Sequence, residues 1–438
     1  MTQQICLLTV RLRSPLLIGD ESGLGNYEQT ADCIPGTVLR GAIGERLLEA
    51  SCTHPDHIRN HAGCPGRESC AFWRVFGAEN PPHFGNAYLA PRGWGFPFPA
   101  TARTCKYHPG YYDFETNPDG HGVFDTLVEQ FVYDLVSDPC FPRRAELLPE
   151  LSDGWANLLA HYDPKCPHPD CQEPVEGSVE PATGYYLLDG ATPGYTPHPT
   201  VSRATHVGIN RARGVAEDAL LFTLETIEAR PNIEFRARLT YDDAYATDLG
   251  TVLDLSGQAH TFYIGRGRSR GLGRVKISVD LAPSPLVMGD RMKDLNRQVH
   301  RALEPYHAED ERVPESFPGH FFSLTLRAAA ILAAPDGTPA LWPNLAAYDL
   351  ADAWPLRAWA RTTLVGGWDT AAGLPRPTRQ AVEPGAVYLF YLPSDKMDWQ
   401  TLVDRLEALE VAGLGVERGR GYGQVTVCAP FHYAGWRQ

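Results

Sequence analysis

The sequence predicts an α+β protein of two related units, the first interrupted by a long loop-rich insertion. Three observations carry this expectation. Short alternating apolar runs, with the period of half-buried strands, adjoin segments whose apolar residues fall three and four apart, the period of helices. The 438 residues include 41 glycines and 37 prolines, more turn formers than a helical bundle would carry. A glycine-arginine segment, Arg268-Ser-Arg270-Gly271-Leu-Gly273-Arg-Val275, returns 150 positions later as Arg418-Gly-Arg420-Gly421-Tyr-Gly423-Gln-Val425.

The first unit is placed at 1–281. Residues 5–12 alternate as a strand. In 34–51 Pro35 blocks backward extension, Thr37 is the expected cap, and Leu39, Ile43 and Leu47 share one helical face. The stretch from about 52 to 198 is rich in Cys, His, Pro and Gly and reads as the insertion, with one periodic piece at 123–136. Residues 207–239 read as a hairpin turning at Pro231-Asn232, followed by a short apolar helix carrying Leu249, Val252 and Leu253. The charged stretch 282–318 reads as a linker. The second unit, 319–438, starts with a strand at 321–334 and adds another at 386–392. Its helix at 398–410 sets Trp399, Leu402, Leu406 and Leu409 on one face, and the second glycine-arginine segment closes it.

The chain carries 39 basic and 53 acidic residues, a formal charge of −14, so no overall positive field attracts a polyanion. Any nucleic-acid contact must be local. Arg266, Arg268, Arg270, Arg274 and Lys276 supply that locality, five cations within eleven residues. Glycine lets backbone N–H groups approach an anion closely, and interleaved arginines add bidentate phosphate contacts. A strand rather than a helix is expected after both segments, and no Gly-Lys-Ser/Thr occurs, which excludes dinucleotide and P-loop readings. Arg11 and Arg13 interrupt the N-terminal apolar stretch, and nothing approaches about 18 consecutive apolar residues, so a cytoplasmic protein without a membrane partner is expected.

In a reducing compartment the ten cysteines serve as buried thiols or metal ligands, and no C-x-x-C pair offers redox chemistry. Cys64 and Cys70 lie in a Gly/Pro-rich loop, and Cys166-Pro-His-Pro-Asp-Cys171 forms a knuckle-like turn. These four are the expected thiolates of a structural zinc site, with Cys52, His57, His61 and His168 as substitute ligands.

Three features together resemble the RAMP superfamily of CRISPR-associated proteins: Ile34-Pro35-Gly36-Thr37-Val-Leu39-Arg40-Gly41 leading into the first helix, the Gly271-Leu272-Gly273 loop, and the Gly-Arg loop at 418–423. The resemblance spans nearly the whole chain and implies two ferredoxin-like, RRM-type βαββαβ domains whose glycine loops touch guide RNA. Val365-Gly366-Gly367-Trp368 and Leu374-Pro375-Arg376-Pro377 are most similar to the large Csx-type, Cas-five-like subunits of type III-D effector complexes. Such subunits hold the 5′ handle of the crRNA, join other effector subunits and meet target RNA only indirectly. The resemblance assigns RNA contacts to Gly36, Thr37 and Arg40, to Arg266, Arg268, Arg270, Gly271 and Gly273, and to Arg418, Arg420, Gly421, Tyr422 and Gly423. It adds Arg203, His206 and Arg211 from a segment similar to the family's thumb-like hairpin.

Related backbone subunits cut target RNA with an aspartate before the first helix, a position matched by Asp20 or Asp32. A guide-processing enzyme would instead want a general-base histidine, for which His121 and His206 are the candidates. The expectation is a non-catalytic protein, with Asp32 the first residue to test for the alternative, a ribonuclease.

Overall fold

The structure, a computed structural model, describes residues 3–19, 26–58, 60–114, 117–151, 162–171, 178–189, 192–195, 199–210, 213, 215–231, 233–254, 258–281, 286–369 and 373–434. It is a mixed α/β protein with several sheets. At the centre of the first large sheet is Gln3–Leu12, antiparallel to Glu234–Asp242 on one side and to Arg274–Leu281 on the other. His260–Tyr263 extends the sheet beyond Arg274–Leu281, and His83–Phe84 with Tyr88–Leu89 line the opposite edge. Leu8, Val10 and Leu12 are buried in one cluster with Phe235, Ala237 and Leu239 and with Val275, Ile277 and Val279. The helix Gly36–Ser51 adds Leu39, Ile43 and Leu47 to that cluster, the face its spacing predicted. Its cap differs from expectation. Pro35 holds the N-cap position with no side-chain hydrogen bond, and the Gly36 N–H donates to Asn86 Oδ1 at 2.9 Å instead of leaving Thr37 to cap.

The second large sheet repeats the strand order. Gly319–Leu326 lies between Val387–Pro393 and Val425–Val427, with Trp354–Trp359 at the edge, all antiparallel. Trp399–Ala412 is capped by Asp398, whose carboxylate accepts from the Thr401 N–H at 3.0 Å, and it buries Leu402, Leu406 and Leu409. The expected linker is corrected here: Met288–Glu309 is a 22-residue helix. Its Met288, Met292, Leu295, Val299 and Leu303 fall on one face and are buried in the second unit's core. The surrounding charge hid that periodicity.

The insertion also departs from the expected layout, because part of it belongs to the second unit. Leu127–Ser137 buries Leu127, Phe131, Val132 and Leu135 in the same cluster as Phe321, Tyr391 and Leu402. The Trp359 indole N–H donates to Gln130 at 3.0 Å, and Arg357 pairs with Asp134. A stretch inserted in one unit thus anchors the other.

The hairpin register is corrected as well. Val201–Asn210 pairs antiparallel with Val215–Ile227 through a bulge between Val207 and Ile209, and Tyr27–Glu28 adds a parallel strand at its base. The chain therefore reverses between 210 and 215, not at Pro231. Phe235, Ala237 and Leu239 alternate toward the first core, which draws Glu234–Asp242 into the large sheet.

Candidate nucleic-acid interface

The two glycine-arginine segments share one backbone. Each is a single 3-10 turn, Arg268–Arg270 and Arg418–Arg420, that leads into the last strand of its sheet. Gly271 and Gly421 close the turns at φ +85° and +97°, and Gly273 and Gly423 follow at +76° and +71°. A Cβ on Gly273 would stand 1.9 Å from the Ile264 carbonyl oxygen, and one on Gly423 would stand 1.8 Å from that of Leu414. Only glycine fits either place. The hydrogen bonds match too: Arg266 N–H to the Leu17 carbonyl at 2.8 Å, and Val416 N–H to the Ile331 carbonyl at 3.0 Å.

Their surroundings differ. In the first loop Arg266, Arg268, Arg270 and Gly271 are exposed. Arg266 pairs with Glu28, Arg268 Nη1 lies 2.6 Å from Glu45 Oε2, and the Arg270 guanidinium stands 5.6 Å from the Phe222 ring centre. The second loop is packed between the units. Gly421 and Gly423 are buried, a Cβ on Gly421 would meet the Phe84 carbonyl oxygen at 2.7 Å, and Gly36 lies beside it. Arg418 donates to the Ala412 carbonyl at 3.3 Å, and Arg420 pairs with Glu417 at 3.0 Å. Arg420 and Tyr422 line a polar cleft of about 260 Å³ with Arg379 and Glu417, which brings the second loop beside Val365, Gly366, Arg376 and Pro377. The Arg376 Nε there is buried without a hydrogen-bond partner.

Beside the first loop, one face of the hairpin presents His206 and Phe222, and Arg203, three residues earlier in the strand, projects from the opposite face. Arg203 is 68% exposed at its side chain and is oriented by Glu225, with Nε at 2.9 Å from Oε2. The same carboxylate accepts from the Tyr27 hydroxyl at 2.6 Å. The His206 and Phe222 rings stack at 5.2 Å, and Arg270 reaches the same phenyl ring. Tyr263, Val207, Ile209 and Leu221 are exposed on these same elements. Exposed cations next to upturned rings form a surface that can hold phosphates and stack bases. Ion pairs as exposed as these contribute about 0–1 kcal/mol, so a phosphate can replace Glu28 or Glu45 at little cost.

The other predicted contacts scatter. Arg40 turns inward, its guanidinium 4.6 Å from the Phe76 ring centre, and Gly36, followed by Thr37 in the helix, lies against Gly421 of the second loop. Arg211 lies outside the described residues, as does Asp20. Asp32 accepts a hydrogen bond from Tyr185, whose phenol is held far above its ordinary range by burial and by the nearby Cys33 and Asp32. Buried Thr325, His432 and Asp125 form a relay, with 2.7 Å from Thr325 Oγ1 to His432 Nε2 and 2.8 Å from His432 Nδ1 to Asp125 Oδ2. Its connectivity copies a nucleophile–base–acid array. However, Thr325 is 4% exposed in the middle of a sheet, and the relay ties the insertion to the second unit.

The cysteine expectation is half corrected. Cys166 and Cys171 do meet, but their partners are Cys105 and His121, and all four ligand atoms are buried within 4.8 Å of one another. Cys64 and Cys70 instead sit half-exposed on turns leading to the Ala71–Phe76 helix. Sequence spacing pairs near neighbours, whereas Cys105 comes from the end of a distant strand. Burial and the neighbouring thiols push the Cys171 thiol up to about 12.

These features define a mixed α/β protein with two glycine-arginine loops of matching backbone. The chain belongs to the RAMP superfamily, whose sequence profile matches residues 9–276. No curated protein matches it significantly. Among solved structures it is similar to a chain of the type III-B Cmr-beta complex bound to cognate target RNA and AMPPnP, at 9% identity and a TM-score of 0.38 over 92% of this chain and 88% of that one. Another is the same kind of complex bound to cognate target RNA, at 9% identity and TM-score 0.37 over 92% and 89%. A third is Cmr-beta in its apo state, at 13% identity and TM-score 0.30 over 63% of this chain and 97% of that one. Among the described residues no helix is long and apolar enough to cross a membrane.

Proposed function

We propose that the chain is a non-catalytic RNA-binding subunit of a type III CRISPR effector ribonucleoprotein. In this reading both units are ferredoxin-like, since the fourth–first–third–second strand order of such domains recurs in the two large sheets. The protein caps the 5′ handle of the crRNA, nucleates assembly with neighbouring subunits and meets target RNA only through them. One observation carries the reading: the exposed Arg266, Arg268 and Arg270 of one turn lie beside the hairpin face that carries His206 and Phe222, on an otherwise acidic protein.

The chemistry follows from that face. Arginines held loosely by Glu28 and Glu45 exchange those carboxylates for phosphates, while Phe222 and His206 offer planes for unstacked bases. The packed second loop instead braces the junction and shapes the Arg376–Arg379–Arg420 cleft, which suits a second phosphate of the same strand. The alternative, a guide-processing or target-cutting ribonuclease, rests on Asp32 or His206. Purified protein incubated with repeat RNA and with guide–target duplex separates the two. The scaffold reading expects handle-dependent binding without cleavage; specific cutting abolished by Asp32→Ala or His206→Ala overturns it.

A further inference from the structure

We propose that Cys105, His121, Cys166 and Cys171 bind one zinc ion as a closed structural site that fastens the insertion's small sheet. The four donors come from three separated places: the end of the Ala102–Cys105 strand, the turn before Val123–Asp125, and the two ends of the 166–171 knuckle. All four residues are buried.

The spacing fits a tetrahedron. With Zn–S near 2.3 Å and Zn–N near 2.0–2.1 Å, ligand atoms on adjacent vertices stand about 3.8 Å apart for sulfur–sulfur and about 3.6 Å for sulfur–nitrogen. Cys105 and Cys171 sulfurs are 3.8 Å apart, the Cys166 sulfur is 3.8 Å from His121 Nδ1, and the Cys171 sulfur is 3.2 Å from the same nitrogen. A disulfide would need about 2.05 Å. Three sulfurs and one imidazole nitrogen are the donor set zinc takes in closed sites, and four protein donors leave no position for catalysis.

The surroundings need such a fastening. The local apolar cluster consists of the three cysteines, with half-buried Val179 packed against it, too little to hold a Pro-rich knuckle by itself. His121 is flanked by stacked His168 and His108 rings at 3.9 and 4.2 Å, which fix its plane. The same small sheet carries Asp125, the anchor of the His432–Thr325 relay. The metal therefore supports the contact between insertion and second unit.

The test uses the full chain, purified without chelator. Elemental analysis should give one zinc per chain, and cobalt exchanged into the site should show thiolate charge-transfer and tetrahedral ligand-field bands. Cys171→Ser and His121→Gln should lower the metal content at least tenfold, while Cys64→Ser and Cys70→Ser should leave it unchanged. Should Cys171→Ser fail to fold, thiol titration of the native wild type still decides: zinc release should accompany modification of three of the ten thiols. A folded wild-type chain without stoichiometric metal, a two-hydrogen mass deficit marking a disulfide, or zinc lost from the Cys64 and Cys70 variants but kept by Cys171→Ser overturns the assignment.

Discussion

Replacing Arg268 and Arg270 together by alanine removes two exposed cations from the first glycine loop without disturbing its backbone. Arg268 trades an ion pair with Glu45 whose partners are 37% and 47% exposed, worth about 0–1 kcal/mol. Arg270 loses its place over Phe222, worth about 0.5–1 kcal/mol at an exposed site. Fold stability should therefore fall by about 1 kcal/mol in total. A charge-assisted hydrogen bond to phosphate contributes about 1.5–3 kcal/mol before the displaced Glu45 pair is subtracted, leaving roughly 1 kcal/mol per arginine. The pair should then cost about 30-fold in affinity at low salt. Each phosphate neutralised on a single strand contributes about 0.7 to the slope of log K against log salt, so the slope should flatten by about 1.4. Fluorescence anisotropy of labelled 5′-handle RNA across a salt series measures both, with thermal unfolding as the folding control. Arg268→Lys with Arg270→Lys should keep most of the slope. An unchanged slope in the alanine variant would refute the assignment of this loop to phosphate.

Gly273→Ala should destabilise the chain by several kcal/mol in denaturant unfolding, because its Cβ meets the Ile264 carbonyl, whereas Gly271→Ala, with open space around it, should cost about 1–2 kcal/mol. Burial alone would raise the Glu410 carboxyl, but Arg291 at 3.0 Å and Arg238 at 3.9 Å hold it below the ordinary value. With the folded value depressed, its contribution is present above about pH 4.3 and is lost as pH falls toward that folded value, so Glu410→Gln should flatten the acid limb of the stability curve. Glu410→Ala should cost about 3–5 kcal/mol in chemical unfolding, since two buried guanidiniums lose their counterion. Asp125→Asn should loosen the insertion, seen as faster hydrogen exchange at 101–105 and 123–125, with little change in RNA affinity.

Much of the repeat was legible because it rests on local rules. The glycines at 271, 273, 421 and 423 are dictated by positive φ, and all but Gly271 also by a carbonyl too close for a Cβ, so the motif survives as sequence. Leu39, Ile43 and Leu47, and likewise Leu402, Leu406 and Leu409, declared their helices by spacing. What stayed hidden depends on distant partners. That the second loop is buried by Phe84 and Gly36 follows from how the units dock, not from its own residues. Cys105 and His121 join Cys166 and Cys171 only after strands bring them together. The Met288–Glu309 helix did carry an apolar stripe, but its charges look like those of a solvated tether. Phe222 was missed because nothing in sequence distinguishes an upturned aromatic on a hairpin from a core one.

Photo-crosslinking from a benzoylphenylalanine placed at position 222, within the assembled ribonucleoprotein, tests the RNA surface most directly. The account predicts a crosslink to the 5′ handle of the guide, weakened when Arg268 and Arg270 are alanine. A probe at 222 that labels only protein or solvent-derived products, while handle nucleotides crosslink to a face lacking both loops, would contradict it.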